Sequence, residues 1–142
     1  MNSAKLSGMT TALLVVGSIS VGIAALIHVY IFVLESLRWS RPATWKGFGL
    51  TSQADADTVR PMAFNQGFYN LFLAIGVLAG ILLIAASRTA AGLAVAVFAA
   101  GSMVAAALVL SVSSPKLTRA AAVQGIPPLI GVILLGLAVV VG

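Results

Sequence analysis

Cysteine is absent from the 142 residues. That excludes disulfides, thiolate metal sites and thiol nucleophiles, and it removes the usual clue to redox compartment. Charge is scarce as well. Asp and Glu together number three, and charged residues make up 8% of the chain, against about 25% in a soluble domain. With one histidine beside those three acids, no metal-binding cluster can be assembled from the sequence, and no metal or other cofactor is expected. Lys and Arg number eight, for a net charge of +5. They form no basic run and do not alternate with aromatics, so nucleic acid is excluded as a partner.

What the chain has is apolar length. Hydrophobic residues fill 61% of it, well above the roughly 45–50% of soluble domains. A helix crosses a bilayer with about 20 mostly apolar residues, and four stretches qualify: residues 10–34, 61–86, 90–112 and 120–141. None carries Asp, Lys or Arg in its interior. The expected fold is therefore all-α, an integral membrane four-helix bundle forming one domain over residues 1–142, with the lipid bilayer as its surroundings. The first stretch far exceeds the about 7–15 residues of a signal-peptide core and ends in His28 and Glu35, so it is expected to stay in the mature protein.

Arg38, Arg41, Lys46 and Arg60 lie between spans one and two, and Lys116 and Arg119 between spans three and four; Lys5 and Arg88 flank the other side. The positive-inside rule then places both polar loops in the cytoplasm and both termini on the extracytoplasmic side. Loop 36–60 holds Trp39, Trp45 and Phe48, rings suited to the headgroup zone. Pro42, Gly47 and Gly49 are expected to break any helix there. Thr51 or Ser52, with Asp55, reads as the N-cap of a short interfacial helix leading into span two, with Asp55 and Asp57 in its first turns.

The remaining polar residues gather at one depth. Counting 1.5 Å per residue, His28 lies about 10 Å deeper than Glu35, and a spacing of seven puts the two on nearly the same face. Span two enters from the same side with Asn65, Gln66, Tyr69 and Asn70, and span four adds Gln124. Ser111 of span three falls near that level. Pro127 and Pro128 free the carbonyls of Val123 and Gln124, which in lipid need partners or a wet cavity. The other half of the bundle contains almost nothing but Ala, Gly, Val, Leu and Ile.

Each of these residues has a plainer reading beside the functional one. Asn65 and Gln124 could join helices, Tyr30 and Tyr69 could pack, and Glu35 could pair with Arg38. His28 resists such an account, because ionisable groups inside a span are rare. Gly76 and Gly80, like Gly17, Ser18 and Gly22, suit close helix approach within the bundle or in a homodimer.

The string from His28 to Gly76 resembles an uncharacterised family of small bacterial and fungal four-helix membrane proteins. The matching residues are His28-Val29-Tyr30-Ile31-Phe32-Val33-Leu34-Glu35, Trp39, Arg41-Pro42, Lys46, Phe48-Gly49-Leu50-Thr51, Ala63-Phe64-Asn65-Gln66-Gly67-Phe68-Tyr69-Asn70 and Leu73-Ala74. Phe64 departs from the pattern, which has a small residue there. The resemblance implies a four-helix bundle, multi-pass in the bacterial inner membrane, and brings no activity with it.

Three functional readings follow from the residues. The first is a site in the cytoplasmic half for a lipophilic small molecule, with His28 and Glu35 as acid/base groups and Asn65, Gln66, Tyr69, Asn70 and Gln124 binding a polar head. The second is a small proton-coupled efflux transporter, similar to small multidrug efflux proteins in its four spans and single acidic residue in the first. The third is an accessory subunit of a larger membrane complex, or a homo-oligomer, without chemistry of its own.

Overall fold

The structure, a computed structural model, describes residues 3–142. Four helices long and apolar enough to cross a membrane run up and down: α1 (Ser3–Phe32), α3 (Gln53–Ala85), α4 (Thr89–Ser113) and α5 (Thr118–Val141). A one-turn π-helical segment, Val33–Leu37, closes α1, and a 3₁₀ turn, Pro115–Leu117, leads into α5. The short α2 (Pro42–Gly47) sits in the first loop. The chain is an all-α, four-helix membrane bundle, and a multi-pass one.

Neighbours pack in a ring, α1 on α3, α3 on α4, α4 on α5 and α5 back on α1, while α1 and α4 barely touch across the diagonal. Gly142 lies beside Thr10, so the start of α1 and the end of α5 share one end, with the α3–α4 turn. The first loop and the α4–α5 junction share the other, called here the loop end.

The sizes of the side chains are arranged inside out relative to a soluble bundle. Leu26, Phe98, Val112 and Val140 are each at least 70% exposed, a surface that only lipid suits. The interior is mostly small: Ala24, Ala25, Ala74, Ala96, Ala99 and Ala100 are buried, with Val21, Val77, Met103 and Leu135 filling between them. Without a hydrophobic drive between helices in lipid, association depends on close backbone approach. Gly80 provides it against α4, where an added Cβ would lie 2.6 Å from the Ala96 nitrogen. Gly17 does the same against Leu135 of α5, at 2.8 Å. The glycines of spans one and two thus pack inside the bundle.

The loop end departs from expectation in two places. Pro42 does not break a helix but starts one, since the first helical position needs no N–H; α2 runs to Gly47 and is stopped by Gly49, whose φ of +85° suits glycine. Nor is there a separate interfacial helix before span two. Ser52 caps α3, its hydroxyl accepting the Asp55 N–H at 3.1 Å, and the helix then runs unbroken through Pro61. At 33 residues it is about 50 Å long, more than the about 30 Å of hydrocarbon it must cross. Its first turns therefore project into the loop layer. There the loop folds back on them: Trp39 and Trp45 are buried with Ala56 and Ala63, and the Trp39 indole N–H donates to the Ala56 carbonyl at 2.9 Å.

Candidate functional site

The buried polar side chains among the described residues are His28, Glu35, Thr44 and Asn70, all from the loop-end half. Glu35 sits in the π-helical turn, where Arg38 N–H reaches back five residues to the Val33 carbonyl at 2.9 Å. Such turns occur often at functional positions. This one takes the residues after Phe32 out of the 3.6-residue register.

Gly67 makes room for this turn on α3. An added Cβ there would collide with the Ser36 hydroxyl and lie 3.1 Å from the Glu35 Cβ. Ser36 donates to the Phe64 carbonyl at 2.9 Å, tying the end of span one to span two. One turn further along, the Asn70 amide donates at 3.0 Å both to a Glu35 carboxylate oxygen and to the Gln66 carbonyl. One bond thus holds the carboxylate, and the other fixes the amide to its own helix.

Glu35 and Asn70 lie on a cavity of about 950 Å³ opening at the loop end, near the upper end of the volume range for small-molecule sites. Gln66 and Gln124 line it beside them; Ile27, Ile31, Leu34, Ala106, Leu110 and Val123 form apolar walls. Pro127 and Pro128 lie within α5, and the two residues whose carbonyls they free, Val123 and Gln124, both line this space. Arg38, Arg41, Lys116 and Arg119 line its rim, with Thr44 and Phe48 of the first loop.

The residues expected to form the site are therefore divided. Glu35, Gln66, Asn70 and Gln124 come together on the cavity. His28 is buried deeper, at 1% exposure, outside the cavity lining, with Nδ1 2.9 Å from the Ala24 carbonyl; since a carbonyl only accepts, the ring proton belongs on Nδ1. Tyr69 is 62% exposed and Asn65 is exposed too, because the buried stripe of α3 (Ala63, Gly67, Asn70, Ala74) faces the other way. Ser111 bonds back to the Ala107 carbonyl of its own helix at 2.9 Å. The rim cations were read from sequence only as markers of orientation. Their clustering at one end was the available signal for a further role.

The cavity lies within a segment that matches a known family. The profile of a family of proteins of unknown function, DUF1304, matches residues 22–136. The chain belongs to DUF1304. The DUF1304 segment includes every residue that lines the cavity, from Ile27 to Gln124. It also takes in the whole string from His28 through Asn70. No curated protein and no solved structure matches the chain.

Proposed function

We propose that the loop-end cavity binds one lipophilic molecule with a polar head. The observation that carries this reading is the division of the cavity wall. Carboxylate and amide groups of Glu35, Gln66, Asn70 and Gln124 lie among apolar side chains of the first, third and fourth spans, the combination that fixes a head by hydrogen bonds and holds a body by burial. Glu35 is the group best placed for proton transfer to a bound head, because Asn70 orients it at the cavity surface.

In the bacterial inner membrane the mouth would face the cytoplasm, since six of the eight Lys and Arg residues belong to the loop end. The absence of native cysteine makes that orientation directly measurable. Lys46→Cys should resist, and Gly142→Cys accept, a membrane-impermeant thiol reagent added to intact cells; the reverse pattern inverts the topology.

The binding reading is tested by native mass spectrometry of protein released from mild detergent, with extraction of whatever accompanies it. One amphiphile per chain is expected, and Ala106→Phe, which fills the cavity from α4, should remove it. An unchanged adduct in the folded Ala106→Phe protein would refute the site.

A further inference from the structure

Four cations on the cavity rim deepen this reading. Arg38 and Arg41 reach it from the first loop, and Lys116 and Arg119 from the α4–α5 junction, segments joined only by the fold. One acid, Glu35, lines the same cavity, so the four cations outnumber the acids there. The chain has three carboxylates. Asp55 is held by Ser52 and Asp57 by Gln53 at the start of α3, while Glu35 lies with Asn70.

Cations flanking a span need no ligand, since orientation in the membrane explains them. The arrangement of the six at this end goes further than that. Lys46 lies over the Trp45 ring, 5.5 Å from its centroid, and Arg60 lines not the large cavity but a smaller recess with Trp39, Phe64 and the other side of Glu35. Only the other four converge on the large cavity. Orientation alone does not distinguish these two groups.

We propose that the head bound at this mouth is a phosphate, carried on an apolar tail that occupies the cavity below. Arginine forks suit phosphate oxygens in pairs, and lysine adds a mobile point charge. Glu35 and Gln124, on the same wall, accept hydrogen bonds from a hydroxyl or amine next to the phosphate. The proposal rests on the cavity being a binding site, and it adds the class of ligand.

The test uses the full chain in uncharged detergent and follows thermal unfolding with dimyristoyl phosphatidic acid, dimyristoyl glycerol or inorganic phosphate. Phosphatidic acid should raise the unfolding temperature saturably, and far more than either of the others. Replacing Arg41 and Arg119 together by Ala should weaken it at least about tenfold, since each charge-assisted bond contributes about a factor of ten. The same two charges removed as Lys46→Ala and Arg60→Ala should leave it within about twofold, screened surface charge being weak. These four cations are exposed, so both double variants are expected to fold.

Equal weakening by the two double variants would overturn the proposal, because general surface charge would then explain the binding. Equal shifts with inorganic phosphate would assign the rim to a free ion and overturn the lipid. Equal shifts with dimyristoyl glycerol, lost in Ala106→Phe, would remove the phosphate while leaving the binding cavity intact. No shift with any probe, and none changed by Ala106→Phe, would remove both.

Discussion

The two halves of the bundle solve opposite problems with the same four helices. Toward the termini, glycine and alanine bring backbones together until no space remains: Gly80 on Ala96, Gly17 on Leu135, Gly131 on Val21. Toward the loops, the helices part around a cavity of about 950 Å³ containing Glu35, Asn70 and Gln124. The cost of those polar groups is borne by specific bonds, Asn70 to Glu35 above all. One half supplies rigidity, and the other can then hold open a polar space that packing alone would close.

The comparison is broken most directly from the closed half. Gly80→Val forces a side chain into the Ala96 backbone and should cost about 3 kcal/mol or more, the upper range for overpacking. Gly22→Ala, whose nearest neighbour would be 3.8 Å away, should be neutral. Denaturant titration in detergent measures both, and a Gly80→Val protein as stable as the parent would mean that the closed half is not close-packed.

Next in size is Asn70→Ala. It removes both donated bonds and leaves Glu35 without its partner, which should cost about 1–2 kcal/mol. Asn65→Ala, on the exposed face of the same helix, should stay within about 0.5 kcal/mol. Equal losses at the two positions would show that Asn70 has no special part in the open half.

Trp39→Phe keeps an aromatic ring beside Phe48 but deletes the bond to the Ala56 carbonyl. About 1 kcal/mol should be lost, concentrated in the loop layer, so limited proteolysis between residues 40 and 52 should quicken more than global unfolding. Cleavage unchanged from the parent would detach the loop from the open half.

The smallest expected effect on stability is the most informative about function. Ala106→Phe fills empty space from an exposed position and should change unfolding by less than about 0.5 kcal/mol while abolishing ligand binding. A large loss of stability instead would mean that the cavity closes around residue 106 in the folded protein.

Much of this protein was legible before any coordinates. Four apolar stretches of sufficient length can only be satisfied as helices in lipid, because every backbone group must be bonded within its own segment. That one end is polar was equally plain from Glu35, Asn65–Asn70 and Gln124, since depth along a helix follows from residue number. Ser52 as the cap of α3 could be read from its spacing to Asp55. Depth, though, is not direction. Asn65 and Asn70 are five residues apart on one helix, yet one is exposed and the other buried against Glu35, and only the packing of α3 on α1 decides which.

The π-helical turn, which packs against Gly67 of α3 through Ser36 and Glu35, has no marker in the local sequence. Glu35, inside that turn, lines the cavity, whereas His28, two turns earlier, is buried outside its lining. Burial of the two tryptophans likewise depended on α3 rising beyond the bilayer to meet the loop. The sequence by itself determined the membrane, the four spans and the uneven placement of polarity, all of which follow from hydropathy and length. Tertiary structure decided which polar groups share a cavity, and which four cations stand at its rim, because convergence depends on how helices far apart in the chain are turned toward one another.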